Sequence, residues 1–428
     1  MNETGTPCRF FQTRKMILLQ RIQHQERPVD ILIDGAVISR ISQEPLHIPG
    51  AQVVDCRSKA VIPGFVNMHT HAAMILLRGI HEDLSLYDWL DKVWKIEARM
   101  DGEFIFAATK AACLEMIRSG TTTFNDQYWY CPHTRQAAVE MGLRPVISFI
   151  FLDSGNKELA FRQRDACQRL YERSKAWDTP FAISLHSVYT VCEENLLWAS
   201  EFARKHGLRI HLHVAETALE DADCRKAHGG LSPVQYFESL GIWGPDVIAA
   251  HALHLSDEDV EILGRHRVNC VHNINSNLKL SSGFRFRYNE LRDAGANVCF
   301  GTDGAASSNN MDMLEHMKNA ALLQKAWRGD PAELPLQELL DCATVHGAKA
   351  LGLNTGEIRE GADADLSIID LDNCCFLSPA PMLANLVYAA HSNVISSVMV
   401  RGRWVMQDGI IPGEQEILSR ARAITKII

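Results

Sequence analysis

Short apolar runs alternate with amphipathic stretches through the middle of the chain, an alternation that predicts parallel βα units. One stretch shows the helical half of the pattern. Phe104, Ala107, Ala111, Leu114 and Ile117 fall on one face at helical spacing, and Gly120 supplies the stop before the next strand. Eight strand-like runs are present, at residues 61–68, 121–125, 144–152, 181–185, 208–212, 246–250, 267–271 and 297–302. Eight strand–helix units predict an α/β fold, a closed (β/α)8 TIM barrel whose chemistry would sit at the C-terminal ends of its strands.

The two ends of the chain read differently. VDILIDGAVISRI at 29–41 places apolar runs on either side of Asp34-Gly35, a hairpin signal. ADLSIIDL at 364–371 and SVMVRGRWVM at 397–406, turning at Arg401-Gly402, also read as strands, with Asp408-Gly409 as a further turn. Both termini are therefore expected to meet in one small β-sandwich domain, residues 1–60 plus 353–428, beside a barrel spanning 61–352.

Composition narrows the function classes. Acidic and basic residues are interspersed over 428 residues with a formal net charge of −9, and no basic stripe speaks for nucleic acid. Within residues 1–20 the only apolar run is Met16-Ile17-Leu18-Leu19, shorter than a signal-peptide core or the roughly 20 residues of a membrane span. A cytoplasmic protein with no membrane partner is expected. The twelve cysteines contain no C-x-x-C pair and read as reduced, buried small hydrophobes.

The strand ends carry the candidate chemistry. The first ends in His69 and His71, whose spacing in an extended segment puts both imidazoles on one side. With 18 histidines in the chain, roughly one such pair arises by chance, so the pair needs company. The later ends supply it: Asp126, Asp153, His186, then His211-Leu212-His213 with Glu216, then His251, His272 and Asp303. Three imidazoles and a carboxylate suit a first-row transition ion with one position left for water. The expected ligands are His69, His71, one histidine of the fifth strand and Asp303. Alternation alone does not choose between His211 and His213, but His213 lies nearer the rim and three residues before Glu216. The remaining groups suit hydrolytic attack on an electrophilic carbon. His251 would hold or deprotonate a water, Asp303 would pass its proton to a leaving group, and Glu216 would protonate a ring nitrogen. The fourth strand ends ISLH, without a lysine to carry a bridging carboxylate, so one metal per chain is expected, Zn2+ with Fe2+ as the alternative.

Longer motifs extend this reading. The chain resembles the amidohydrolase superfamily and, within it, the 5-methylthioadenosine/S-adenosylhomocysteine deaminases. The matching stretches are PGFVNMHTH at 63–71 continuing into AAMILLRG, HLHVAET at 211–217, AHALHLSDE at 250–258, SNLKLSSG at 276–283 and GTDGAASSNNMDML at 301–314. The resemblance implies His69, His71, His213 and Asp303 as ligands, Glu216 and His251 beside the reacting amino group, and His186 near the purine. It also implies that Glu97, in KVWKIE, binds ribose hydroxyls, with Ser307 a further residue of the substrate pocket. The implied activity is removal of the 6-amino group of an adenine nucleoside, by a homo-oligomer acting on a small-molecule substrate. The alternatives are another aminohydrolase of the same branch, acting on guanine, 8-oxoguanine, a pyrimidine or an s-triazine, and a non-catalytic barrel scaffold. Two features depart from the family pattern. HNINSNLKL at 272–280 changes the pocket lining, and the third strand is apolar where members acting on S-adenosylhomocysteine carry arginines. Arg144 precedes a proline at that strand's start and is expected to face away from the site.

Overall fold

A computed structural model describes residues 16–428, so the reading of residues 1–15 lies outside the described residues. The run Met16 to Leu19 opens a strand, β1 (Met16–His24). It is followed by β2 (Arg27–Asp34), β3 (Val37–Ser42), β4 (Gln52–Asp55) and β5 (Lys59–Pro63). Asp34 pairs with Val37 across Gly35-Ala36, closing the expected hairpin. The C-terminal strands β14 (Leu366–Asp370), β15 (Ile395–Val400) and β16 (Arg403–Met406) join them in one mixed sheet, ordered β16-β15-β14-β5-β1-β2-β3, with β4 on β1. The sandwich expected of the termini thus takes the form of a continuous sheet that branches at β1. It encloses an apolar cluster of its own, including Ile17, Ile31, Val61, Leu366 and Met399.

The eight barrel strands are β6 (Phe65–Thr70), β7 (Thr121–Asp126), β8 (Arg144–Phe151), β9 (Phe181–Leu185), β10 (Arg209–Val214), β11 (Val247–His251), β12 (Asn269–His272) and β13 (Asn297–Phe300). They lie in chain order and pair in parallel. The helix Gly102–Arg118 fits its pattern. Asp101 caps it by accepting from Phe104 N at 2.9 Å, and Gly120 turns out of it at φ 84°.

The strand expected at 61–68 is corrected. Its first residues belong to β5 of the terminal sheet, paired antiparallel to β14, and the barrel strand begins at Phe65. Pro63 has no N–H to give a ladder, and Gly64 passes so close to Thr122 that a Cβ there would lie 2.2 Å from its side chain. The run therefore bends between two sheets. At its other end β6 meets the segment just after β13 through side-chain and backbone bonds. Asn67 Oδ1 accepts from Thr302 N at 3.0 Å, Asn67 Nδ2 donates to Thr302 Oγ1 at 2.7 Å, and Asp303 N donates to His69 O at 2.9 Å.

The barrel's N-terminal mouth is filled by an apolar plug. Val66, Met68, Val146, Ala182, Ile248, Val271 and Cys299 pack there with Ala348, Ala350 and Leu351 of the helix Val345–Leu351. Arg144 is turned away from the opposite mouth, onto Asp363 (2.8 Å) and Asp365 (2.5 Å). All eleven described cysteines are free, and most are buried. No helix among the described residues is long and apolar enough to cross a membrane.

Candidate active site

At the C-terminal mouth the histidines converge. His69 and His71 rings lie 4.8 Å apart, as their shared side of β6 predicts. His69 Nε2 sits 3.2 Å from His213 Nε2 and 3.3 Å from Asp303 Oδ1, and His71 Nε2 sits 3.2 Å from the same carboxylate oxygen. A tetrahedral ion bonded at about 2.0–2.1 Å needs donors about 3.3–3.4 Å apart. The donor set fits such an ion. His69, His71 and His213 offer ligand atoms within 4.8 Å of one another, and so do His69, His251 and Asp303. Together they make a metal site of histidine and aspartate donors.

The far side of each ring fixes its orientation. His71 Nδ1 donates to Gln127 O at 2.6 Å and His213 Nδ1 to His186 O at 2.7 Å, which leaves both Nε2 lone pairs facing inward. His69 Nδ1 lies 2.8 Å from Nε2 of His211, the fully buried histidine one layer below. Burial pulls His69 down to about 4 despite Asp303, and holds His213 well below its ordinary value. Burial pushes the Asp303 carboxyl up, but its bonds to His69 and His71 prevail and hold it well below the usual range. Ser276 and Ser307 hydroxyls donate to its other oxygen at 2.6 and 3.0 Å.

Beside the cluster, Glu216 and His251 form a second group. His251 Nδ1 donates to Asn277 Oδ1 at 2.8 Å, so its Nε2 points toward Glu216 Oε2, 3.8 Å away. Burial raises the Glu216 carboxyl above its ordinary value. Its loop is held from behind: the Glu220 carboxylate accepts from Ala215 N at 2.9 Å and from Glu216 N at 2.8 Å. Ala215 has φ 51°, a left-handed conformation that a non-glycine residue adopts only under constraint.

One narrow cavity reaches these groups. His71, Glu97, His186, His213, Glu216, His251, Asp303 and Ser307 all line it, among Leu86, Trp89, Leu90, Trp94, Tyr128, Ile150 and Tyr189. His69 is fully buried behind His71. Glu97, at the C-terminal end of the helix Leu86–Glu97, is buried, raised by that burial, and accepts a bond from the Tyr128 hydroxyl. His186 Nδ1 is held by Thr190 Oγ1 at 2.8 Å, and burial lowers the ring to about 3.

Three rim residues singled out by their strand-end positions do not line the cavity. Asp126 accepts from Ala72 N (2.7 Å) and Thr70 Oγ1 (2.9 Å), which sets the course of the chain through His71. Asp153 ties Asn195 and the amide of Cys192, and His272 stacks on Phe286 with centroids 4.2 Å apart. Conversely, Asn277, Ser276 and Glu220 escaped the sequence reading. Thr217-x-x-Glu220 has the form of a helix capping box, the one local signal for Glu220.

Residues 60–405 match the model of the amidohydrolase family. The chain belongs to that family. This amidohydrolase is 40% identical over 402 residues to the 5-methylthioadenosine/S-adenosylhomocysteine deaminase 1 of Archaeoglobus fulgidus, covering 93% of this chain and 94% of the relative. It is 39% identical over 419 residues to the 5′-deoxyadenosine deaminase of Methanoregula boonei, covering 96% and 95%. Among solved structures, a zinc-bound adenosine deaminase from Xanthomonas campestris superposes with a TM-score of 0.90 at 28% identity, over 97% of this chain and 98% of that one. An atrazine chlorohydrolase from Arthrobacter aurescens shares the fold, with a TM-score of 0.87 at 24% identity over 96% of this chain and 100% of that one.

Proposed function

We propose that this amidohydrolase is a zinc-dependent deaminase that removes the 6-amino group of adenine nucleosides, giving the inosine analogue and ammonia. The observation that carries the reading is that the His/Asp metal site, the Glu216–His251 pair and Glu97 all open into one cavity. Relatives at about 40% identity named for adenine nucleosides support it.

His69, His71, His213 and Asp303 would hold the ion, with Fe2+ as the alternative to Zn2+. When bound, such an ion brings the pKa of a water from about 15.7 toward about 7. The chain's own groups do the rest. His251, oriented by Asn277, accepts a proton from the attacking water at Nε2. Glu216, whose burial favours the protonated carboxyl, delivers a proton to the ring nitrogen next to the attacked carbon and so lets that carbon become tetrahedral. Asp303, flanked by Ser276 and Ser307 and ionised at the start, takes the remaining proton from the hydroxyl on the tetrahedral carbon. It passes that proton to the departing amine, so that the C–O bond becomes a carbonyl as the C–N bond breaks. His186 packs beside the purine, its ring set by Thr190, while Glu97 accepts from the ribose hydroxyls.

The test is to incubate zinc-loaded protein with 5′-methylthioadenosine, 5′-deoxyadenosine and adenosine while following loss of adenine absorbance and release of ammonia. Turnover of at least one is expected, and absence of ammonia from all three overturns the reading. Glu97→Ala should raise KM for the nucleosides by about tenfold or more while barely changing binding of a free base, since each lost bond to a charged acceptor is worth about 1.5–3 kcal/mol.

A further inference from the structure

The cavity does not end at Glu97. Trp94, Glu97, Trp129 and Leu152 are walls common to the site cavity and to a second, wider hollow of about 570 Å³, completed by Ala98, Met100 and Tyr130. His71, His213, Asp303, Glu216 and His251 line only the first. A substrate with its reacting carbon at the His/Asp cluster and its sugar at Glu97 therefore has its next atoms directed into the second. That hollow is walled by two indoles, a phenol, a thioether and a leucine, and Glu97 is its only carboxylate among the described residues. No lysine or arginine lines either space among the described residues. Arg144, at the start of β8, is committed to Asp363 and Asp365 at the other end of the barrel.

We propose that the outer hollow is a subsite for the 5′ substituent of the nucleoside, and that it selects uncharged alkylthio or alkyl groups over substituents ending in a carboxylate. The proposal rests on the adenine-nucleoside reading of the site. A thioether placed between Trp94 and Trp129 meets favourable sulfur–aromatic contacts, and each added methylene leaves water for an apolar wall. A carboxylate entering the same space loses hydration, finds no cation among the described lining residues and approaches the like charge of Glu97. The ammonium of an amino-acid end must also give up hydration to apolar walls. Because the hollow is open to solvent on one side, the carboxylate keeps part of its hydration, and the expected discrimination is moderate.

The test compares kcat/KM on the zinc-loaded enzyme for 5′-deoxyadenosine, 5′-methylthioadenosine, a 5′-butylthio analogue and S-adenosylhomocysteine, with Kd for the same four from quenching of tryptophan fluorescence. The methylthio and butylthio compounds should equal or exceed 5′-deoxyadenosine and surpass S-adenosylhomocysteine by at least about tenfold in kcat/KM and in Kd. S-adenosylhomocysteine within threefold of the methylthio compound in both would overturn the proposal. If none of the four is turned over, the deaminase reading falls, and the Kd order still decides the subsite: equal or undetectable binding rejects it. A gain of function sharpens the result. Ala98 is exposed at the rim of the hollow, and Ala98→Arg should narrow the preference for the methylthio compound over S-adenosylhomocysteine by about fivefold or more. An unchanged ratio in a variant with wild-type Tm would count against the subsite.

Discussion

The two mouths of the barrel are built from the same eight strands and obey opposite rules. At the N-terminal mouth, Val66, Met68, Ile248, Val271 and Cys299 pack against a plugging helix with no polar group among them. At the C-terminal mouth, a few residues further along, the same strands deliver His69, His213, His251 and Asp303 into a buried cluster. The backbone differs as well: Ala215, His251, Ala252 and Asp303 all have positive φ, at 51°, 72°, 43° and 61°. Such conformations cost on the order of 1–3 kcal/mol each and persist only where the surroundings enforce them. One mouth contributes stability, and the other spends it to hold unfavourable groups in a reactive arrangement.

Substitutions at the two mouths should separate these roles. The largest effect is expected at the reactive end: Glu216→Gln should lower kcat by about 10²–10⁴-fold, since a proton donor is lost, with metal content and Tm unchanged. A parallel fall in Tm would mean that Glu216 is structural. At the plugged end Ile248 is fully buried, so Ile248→Ala should cost about 2–5 kcal/mol of stability. Urea unfolding would measure that cost, and kcat/KM of the folded fraction should stay within about twofold. A large loss of activity there would join the two mouths into one unit.

Glu220 lies between the extremes, a stabilising bond set that serves the reactive end. Glu220→Ala frees the amides of Ala215 and Glu216 and should lower kcat by up to about a hundredfold, because misplacement of a reacting group by 1 Å is enough for that loss. Glu220→Gln, which keeps an acceptor, should recover part of the rate. Equal losses in both variants would argue for a role of its charge instead.

The most gradual effect comes from pH. Burial lowers His272 and His316 to about 3, well below the 6.5 of an unfolded histidine. The unfolded chain therefore binds more protons than the folded one between those values. Stability from these two groups is complete above pH 6.5 and declines as pH falls toward 3, by about 1.4 kcal/mol per unit for each. Tm measured from pH 7 to pH 4 should fall, and His316→Gln should reduce the slope by the share of one buried histidine, about 1.4 kcal/mol per unit. An unchanged slope in the variant would mean that this ring is already protonated in the fold.

How much of this was legible depends on the range of the interaction. The two-residue rhythm of β6 sufficed to place His69 and His71 on one side, and strand ends located Glu216, His251 and Asp303. The partners that orient them were not legible, because Asn277 reaches His251 across 26 residues and Ser276 reaches Asp303 across 27. Sequence spacing carries no information about a side chain arriving from another element. The bend at Pro63-Gly64 was missed for a related reason: a single apolar run suits either sheet, and only the close approach of Thr122 divides it.

The sequence by itself determined the element types, their order and the donor atoms available at each strand end, since these follow from periodicity and residue chemistry within a few positions. The tertiary structure decided which donors face one another, which ring nitrogen is free, and that the space beyond Glu97 is apolar. The reason is physical. Donor spacings near 3.2 Å, ring orientations and the lining of a cavity are set by groups far apart in the chain, and they exist only once all eight strands have met.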